Sequence, residues 1–355
     1  MRVAVDIAPL YGGHAARGMG VYTKNLLDSL QRISSDFRVE VEGFQFSKDK
    51  GRIKKYDLVH YPYFDLFYLS LPFVKYTKTV VTVPDVIPLL YPNRYPPGTR
   101  GKIKHFLQKK SLNECEAVIT LSETSKKDIV RYLGVPEDRV YPIHLAPGFN
   151  FAKQDRQALR MVRSKYKLPQ HYVLYVGDVN YNKNLLQLIK AVKRTNMAII
   201  IVGKQASINE FDRDHIENLS LKILQDRYRK DKNVIRLGYL EGSEFMSIWQ
   251  MATVYCQPSL YEGFGLPILE AFQVGLPVVA SKIQTHIEIA GDAAVYFDPK
   301  NSKDLEEKLR LITNNKVQDK NDVNKGKKCL AKYSWLKTAR QTMAIYQKVV
   351  NNEKE

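Results

Sequence analysis

The sequence predicts an α/β fold, built as two doubly wound domains in series. Three observations carry this. The chain has 355 residues, which at roughly 100–200 residues per domain makes two domains. Short β-rich runs alternate with stretches of helical spacing, the order that builds parallel sheets covered on both faces. The alternation breaks over Pro142–Phe151 and restarts at Tyr172. The expected division is residues 1–165, residues 166–335, and a closing helix and tail over 336–355.

In the first half, Val3–Ile7 reads as a buried strand, followed by a glycine-rich loop over residues 12–20. Tyr22–Ile33 places apolar residues at 22, 26, 27, 30 and 33, a helical spacing. Val39–Phe46 and Leu58–Tyr61 are expected strands. Thr79–Val83 is a continuous β-branched run, as a central parallel strand requires. Lys102–Asn113 reads as a helix, Ala117–Leu121 as a strand, and Ser122–Leu133 as a helix stopped by Gly134.

A polar helical stretch, Asp155–Tyr166, leads into the second half. There the strands are Tyr172–Gly177, Met197–Gly203, Val234–Leu237, Val254–Gln257, Val278–Ser281 and Ala294–Phe297. Helices are expected at Leu185–Lys193, Glu244–Met251, Ile268–Gln273 and Lys303–Ile312. Asn314–Lys328 is Lys-rich and polar and reads as a surface segment. Tyr333-Ser334-Trp335 opens a last amphipathic helix to about Val350.

Composition narrows the class. With 44% hydrophobic and 26% charged residues the chain is a globular protein, not a disordered one. Cys115, Cys256 and Cys329 have no CxxC spacing, which excludes a zinc ribbon or a thioredoxin-like redox motif. They read as buried thiols in a reducing compartment. Asp6 and Pro9 interrupt the first apolar run, so no secretory signal is expected, and no run approaches the ~18 apolar residues of a membrane span. A cytoplasmic protein is the expectation. The net charge of +18 implies an anionic partner. Before residue 170 there are 28 Lys and Arg against 16 Asp and Glu, and after it 27 against 21. The first half therefore carries most of the excess.

Chemistry concentrates in Gln257–Pro277. A buried strand ends at Pro258-Ser259, a loop carries Glu262-Gly263-Phe264-Gly265-Leu266, and Pro267 suits the first turn of a helix. Backbone amides at such a helix start bind anions and polar hydroxyls. Glu262 and Glu270 can grip hydroxyls of a sugar or ribose. A purely structural alternative has Glu262 capping the helix and Glu270 in a buried pair. Lys183, in Gly177–Asn184 at the start of a helix, is placed for a phosphate or is a surface lysine. The loop at 12–20 lacks GxGxxG spacing. Asp212-Arg213-Asp214 sits in a polar stretch, and no metal site is expected.

The Glu262-x7-Glu270 pair within EGFGLPILEA, followed by GLPVVAS, strongly resembles the family-4 retaining glycosyltransferases of GT-B fold. Arg17-Gly18-Met19-Gly20-Val21-Tyr22, Val118–Glu123, Tyr175–Gly177 with Lys183-Asn184, Glu288 within HIEIAGDAAVYFDP, and Ser334-Trp335 resemble other segments of that family. The resemblance runs over about residues 1–350. It implies two Rossmann-like domains facing across a cleft, acceptor-binding first and donor-binding second, with the last helix returning to the first domain.

It also implies roles. Glu270 would hold ribose hydroxyls and Glu262 the donor sugar. The amides of Gly263, Phe264, Gly265 and Leu266 would meet sugar and diphosphate. Lys183 would stabilise the leaving phosphate, and Arg17, Gly18 and Gly20 would close on the diphosphate or acceptor. Asp85 is kept from a His-Asp pair, with Pro84 in place of the histidine. Asp178 and Asn182 stand where the family usually has a second cation, a role that Arg17 or Lys204 would then have to fill. His14 and His60 are candidate substitutes for the missing histidine, though a structural or loop-positioning role is the favoured reading of each, and His286 lies near the donor-side loop.

No cofactor or metal is implied; a nucleoside-diphosphate sugar is the co-substrate. The implied reaction moves a hexosyl or deoxyhexosyl group to a glycan or lipid-linked acceptor. The alternative is a catalytically weakened GT-B subunit that binds nucleotide-sugar or a membrane. Arg100–Lys110 sets five cations among apolar residues near Tyr61, Tyr63, Phe64, Phe67, Tyr68 and Phe73. That pattern suits an amphipathic basic helix on an anionic membrane or, as the favoured reading, a solvated helix face with core aromatics, whereas no nucleic-acid-binding motif is present.

Overall fold

A computed structural model of the chain describes residues 1–11, 18–45, 50–314 and 320–351. The chain divides into two compact units, Met1–Gly148 with Tyr333–Glu355, and Phe149–Lys332.

The first unit begins with β1 (Arg2–Asp6), α1 (Gly18–Ile33), β2 (Glu40–Phe44), β3 (Leu58–Tyr61) and β4 (Lys78–Thr82). A short α2 (Ile87–Leu90) and the long α3 (Gly98–Asn113) lead to β5 (Ala117–Thr120). Ser122 caps α4 (Glu123–Asp128), its side chain accepting from the Ser125 amide at 3.1 Å. A π-helical turn, Ile129–Leu133, ends at Gly134 with φ 68°, the left-handed stop expected of a glycine. β6 (Val140–Pro142) completes a six-stranded, all-parallel sheet of order β2-β1-β3-β4-β5-β6. β6 lies just before the break, in a stretch where no strand was expected; a proline closes it, at the sheet edge, where a missing N–H is tolerated.

The second unit begins with α5 (Arg156–Lys165), capped by Asp155, whose carboxylate accepts from the Ala158 amide at 2.8 Å. Next come β7 (Tyr172–Val176), α6 (Leu185–Val192), β8 (Ala198–Val202), α7 (Leu219–Tyr228), β9 (Val234–Gly238) and α8 (Gly242–Met251). β10 (Val254–Gln257), α9 (Leu266–Val274), β11 (Val278–Ser281), α10 (Gln284–Ala290), β12 (Val295–Phe297), α11 (Ser302–Asn314) and α12 (Lys320–Leu330) follow. The strands form a second six-stranded parallel sheet, β12-β11-β10-β7-β8-β9. Both faces are dry: Val173, Leu188, Ile199, Leu224, Cys256 and Leu305 are among its buried core. The expected doubly wound class is therefore present twice.

The boundaries differ from expectation. The linker expected near 165 lies at Gly148/Phe149, because Phe149 packs edge-on to Phe245 at 5.2 Å and near Trp249, and α5 packs on α8. α7 and α12 were not anticipated. α12 packs on α9 through Gly326, where a Cβ would sit 2.8 Å from Phe272 Cδ1. The last helix, α13 (Trp335–Asn351), returns to the first unit and packs on α1. Trp335 Nε1 donates to the Pro147 carbonyl at 2.9 Å, and the Thr338 hydroxyl to that of His144 at 2.7 Å. All three cysteines are buried free thiols.

Candidate active site

Chain order reverses in the second sheet between β7 and β10, which lie side by side. A doubly wound sheet binds ligands at such a switch point, beyond the carboxyl ends of its strands. The loops leaving β7 and β10 carry Lys183 and Glu262, respectively.

Polar side chains join these loops. Leu260 N donates to the Asn182 carbonyl at 2.7 Å, and Asn182 Nδ2 to the Tyr261 carbonyl at 3.2 Å. Asn184, at φ 55°, donates to the carbonyls of Pro258 at 3.0 Å and Pro299 at 2.9 Å. Asn182 is buried. It is thus a staple and supplies no substitute for a phosphate-binding cation.

Lys183 meets Glu262 head-on. Its Nζ lies 2.8 Å from Oε1 and 2.9 Å from Oε2. Oε1 also accepts from Ser259 Oγ at 2.6 Å and Gln257 Nε2 at 2.8 Å. The Tyr255 hydroxyl donates to Gln257 Oε1, so the amide nitrogen faces the carboxylate. Burial lifts the Tyr255 phenol well above its ordinary pKa, aided by Tyr175, Glu262 and Glu270, and it stays a donor. Burial alone would raise Glu262 as well. The charge of Lys183 and the hydrogen bonds from Lys183 and Ser259 outweigh it, holding the carboxyl below its ordinary range. Glu262 is therefore a fixed anion.

Alternation along β10 puts Tyr255 and Gln257 on one face, and Ser259 follows in the loop. These three residues were missed by sequence reasoning. The available signal was a run of polar side chains ending an otherwise apolar central strand.

α9 begins beyond Glu262. Gly265 is its N-cap at φ 107°, a left-handed conformation that favours glycine, and Leu266 is the first helical residue. Gly263 and Phe264 are buried beside them, as is Glu270 one turn into α9. On α10, Thr285 donates its hydroxyl to the Glu262 carbonyl at 2.9 Å. His286 is fully buried; its Nδ1 lies 3.0 Å from the Ser281 carbonyl, and its ring lines the space beside Gly265. Burial lowers its pKa to about 4, so it is neutral.

The structure thus brings Lys183, Glu262 and Gly263–Leu266 together, with Glu270 on the helix they open. The remaining site candidates belong to the first unit. Gly18 opens α1, and Gly20 is buried within its first turn. Asp85 Oδ1 accepts from the Ile87 amide at 3.0 Å, fixing the entry to α2. Arg17 and His14 lie outside the described residues. Lys204 is exposed after β8.

His60 is corrected. It is fully buried, with Nδ1 2.6 Å from the Tyr346 hydroxyl and Nε2 2.8 Å from Thr82 Oγ1, which also bonds Tyr22 at 2.9 Å. It ties α13 and α1 to the sheet and cannot replace a substrate-facing histidine. Among the described residues, no group of three or more His, Cys, Asp or Glu is arranged to hold a metal ion.

Two six-stranded parallel sheets, each wound with helices, place the chain in the GT-B class. The family described as Glycosyl transferases group 1 matches residues 160–328, and Glycosyltransferase Family 4 matches residues 44–146. The chain belongs to the group 1 / family 4 glycosyltransferases. It is 29% identical over 229 residues to the O-antigen chain mannosyltransferase B of Escherichia coli, covering 62% of this chain and 58% of that protein. The match thus spans less than two thirds of the relative's length. The sucrose-phosphate synthase of Thermosynechococcus elongatus superposes with a TM-score of 0.71 at 16% identity, over 98% of this chain and 99% of the other. Anabaena HepE, solved in complex with UDP-glucose, gives 0.69 at 17% identity, with 98% and 99% covered. At these identities the two structures speak for the fold alone.

Proposed function

We propose that this chain is a retaining glycosyltransferase of polysaccharide or glycolipid synthesis. It moves a hexosyl or deoxyhexosyl group, of mannosyl, rhamnosyl or glucosyl type, from a nucleoside-diphosphate sugar to a hydroxyl of a glycan or lipid-linked acceptor. The observation that carries this reading is the Lys183–Glu262 pair at the switch point, beside the helix that bears Glu270. The mannosyltransferase relative supports the sugar class.

In this reading Glu270 accepts from ribose hydroxyls. Gly263, Phe264, Gly265 and Leu266 set the start of α9 against sugar and diphosphate. Gly18, Gly20 and Arg17 serve the diphosphate or acceptor from the first unit, and Asp85 shapes that unit's contribution. Lys183 stabilises the charge that grows on the leaving phosphate. Glu262, ionised and held by three donors, positions the sugar and does not attack it. The acceptor oxygen bonds to the anomeric carbon as the carbon–phosphate-oxygen bond breaks on the same face, and the acceptor proton passes to the departing phosphate. The charge on that phosphate is met by Lys183 and backbone amides, so no metal or cofactor is required.

The test is transfer by the purified protein from GDP-mannose, dTDP-rhamnose and UDP-glucose to lipid-linked glycan acceptors. The expected product retains the anomeric configuration of the donor, and excess EDTA leaves the rate unchanged. No turnover with any donor, together with tight binding to another glycosyltransferase, would establish the alternative of a weakened nucleotide-sugar-binding subunit.

An acceptor at a membrane would be met by the first unit. α3 is not the amphipathic helix the sequence implied: it buries Gly101, Gln108, Ser111 and Leu112 and presents Ile103 (63% exposed) and Phe106 (69%) among its lysines. Tyr61 and Phe64 are core residues, whereas Tyr68 is 67% exposed with Lys104 Nζ 4.8 Å from its ring. Exposed rings and snorkelling lysines suit an anionic bilayer. No described helix is long and apolar enough to cross one. We expect peripheral association at the cytoplasmic face. Flotation with phosphatidylglycerol vesicles should be lost in a K102E/K104E/K109E/K110E variant, and unchanged flotation rejects this surface.

A further inference from the structure

Lys183 is not an open cation waiting for a phosphate. Lys183, a quarter exposed at 24%, spans both oxygens of a glutamate that is 8% exposed. An anion approaching from solvent meets a lysine whose charge is already matched by an internal partner. Glu262 is also uneven. Oε1 has three donors (Ser259, Gln257 and Lys183), whereas Oε2 is met by Lys183. When Lys183 leaves, Oε2 becomes available to a new donor.

The geometry points to a competition in which Glu262 and the donor's phosphate share one lysine, and by which the site discriminates an intact nucleotide-sugar from the spent nucleoside diphosphate. This rests on the donor reading above. An intact donor brings both replacements: its phosphate draws Lys183 away, and its sugar hydroxyls donate to the Oε2 that Lys183 vacates. A nucleoside diphosphate brings only the phosphate. Taking Lys183 would leave Glu262 a buried anion short of a partner, which is strongly unfavourable. Once the sugar has been transferred, Glu262 recaptures Lys183 and the product leaves. No new bond is made or broken; the device is an exchange of ion-pair partners.

Calorimetric titration of the full chain, first with UDP and UDP-glucose and then with GDP and GDP-mannose, tests this. Glu262→Gln removes the competitor. It should bind the nucleoside diphosphate about tenfold more tightly than the wild type while binding the nucleotide-sugar no more tightly. Plain charge repulsion by Glu262 would produce a similar gain, so the cycle includes Lys183→Met. In that background the gain should vanish; if it survives, the shared-lysine device is overturned. Equal or weaker diphosphate binding by E262Q overturns it too. If E262Q does not fold, Glu262→Asp keeps the charge but is one methylene too short to chelate Lys183, and the same gain is expected. The wild type binding its nucleotide-sugar while these signs fail rejects the exchange alone. No nucleotide binding by any variant rejects the donor reading along with it.

Discussion

Asn182 and Glu270 are both buried in the second unit, and they differ in what their loss should do. Asn182 is buried and its amide satisfies the Tyr261 carbonyl. Asn182→Ala leaves that carbonyl short of a donor, at a cost of about 1–3 kcal/mol, and loosens the loop that aims Lys183. A lower unfolding midpoint in urea together with weaker donor binding is expected. Glu270, in contrast, points its chemistry at ligand in the proposed reading. Glu270→Gln should weaken the preferred nucleotide-sugar by about 10- to 100-fold, the worth of a hydrogen bond to a charged group, a larger loss of binding than Asn182→Ala gives. Calorimetry beside a thermal melt separates the two outcomes.

At the scale of elements, close approach decides which glycines are replaceable. β7 and β8 run in register from Tyr172/Ala198 to Val176/Val202, so the residues that follow them leave the sheet side by side. A Cβ on Gly203 would sit 2.2 Å from the Gly177 carbonyl oxygen. That is a backbone clash, and Gly203→Ala is expected to cost more than about 4 kcal/mol or to prevent folding of the second unit. Gly326→Ala presses on a ring instead, at 2.8 Å from Phe272 Cδ1. It should cost about 1–3 kcal/mol and disturb α9 through its contact with α12. Gly18→Ala meets nothing within 4 Å and gains helix propensity. It should be neutral or stabilising by up to ~1 kcal/mol, and a loss of transfer in so stable a variant would assign Gly18 to the substrate. Urea midpoints of the three variants give the order.

For the whole molecule, acid stability follows from two buried histidines, one in each unit. Burial lowers His60 to about 3 and His286 to about 4, from an ordinary 6.5. Their folded values lie below the unfolded one, so both contributions are complete above about pH 6.5. They are lost as pH falls toward 4 and then 3, because only the unfolded chain binds the protons. Each unit should lose about 1.4 kcal/mol per pH unit across that window from its own histidine. Urea unfolding at pH 7 and pH 5 should show both units weakened at pH 5. His60→Gln should flatten the slope of the first unit only. Glu262, whose pKa is lowered by Lys183, adds to the loss in the second unit below about 4.5.

What local pattern determines was legible in the sequence. Apolar runs place β3, β10 and β11, Ser122 and Asp155 mark helix starts, and Gly134 marks a stop. Glu262 and Glu270 fall, as their strand–loop–helix context leads one to expect, in the loop after β10 and in α9. Each of these is set by neighbours in the chain. Tertiary structure alone decided the rest. α12 reads as polar surface because its packing contact is a glycine, which propensity counts against a helix. The first unit ends at Gly148 because Phe149 finds Phe245, nearly a hundred residues on. His60 is structural because Tyr346 reaches it from α13. Lys183 and Glu262 stand 79 positions apart and neutralise one another only because β7 and β10 adjoin at the switch point. Periodicity reports which face of an element is apolar; which distant side chains share a charge depends on how the sheet orders its strands.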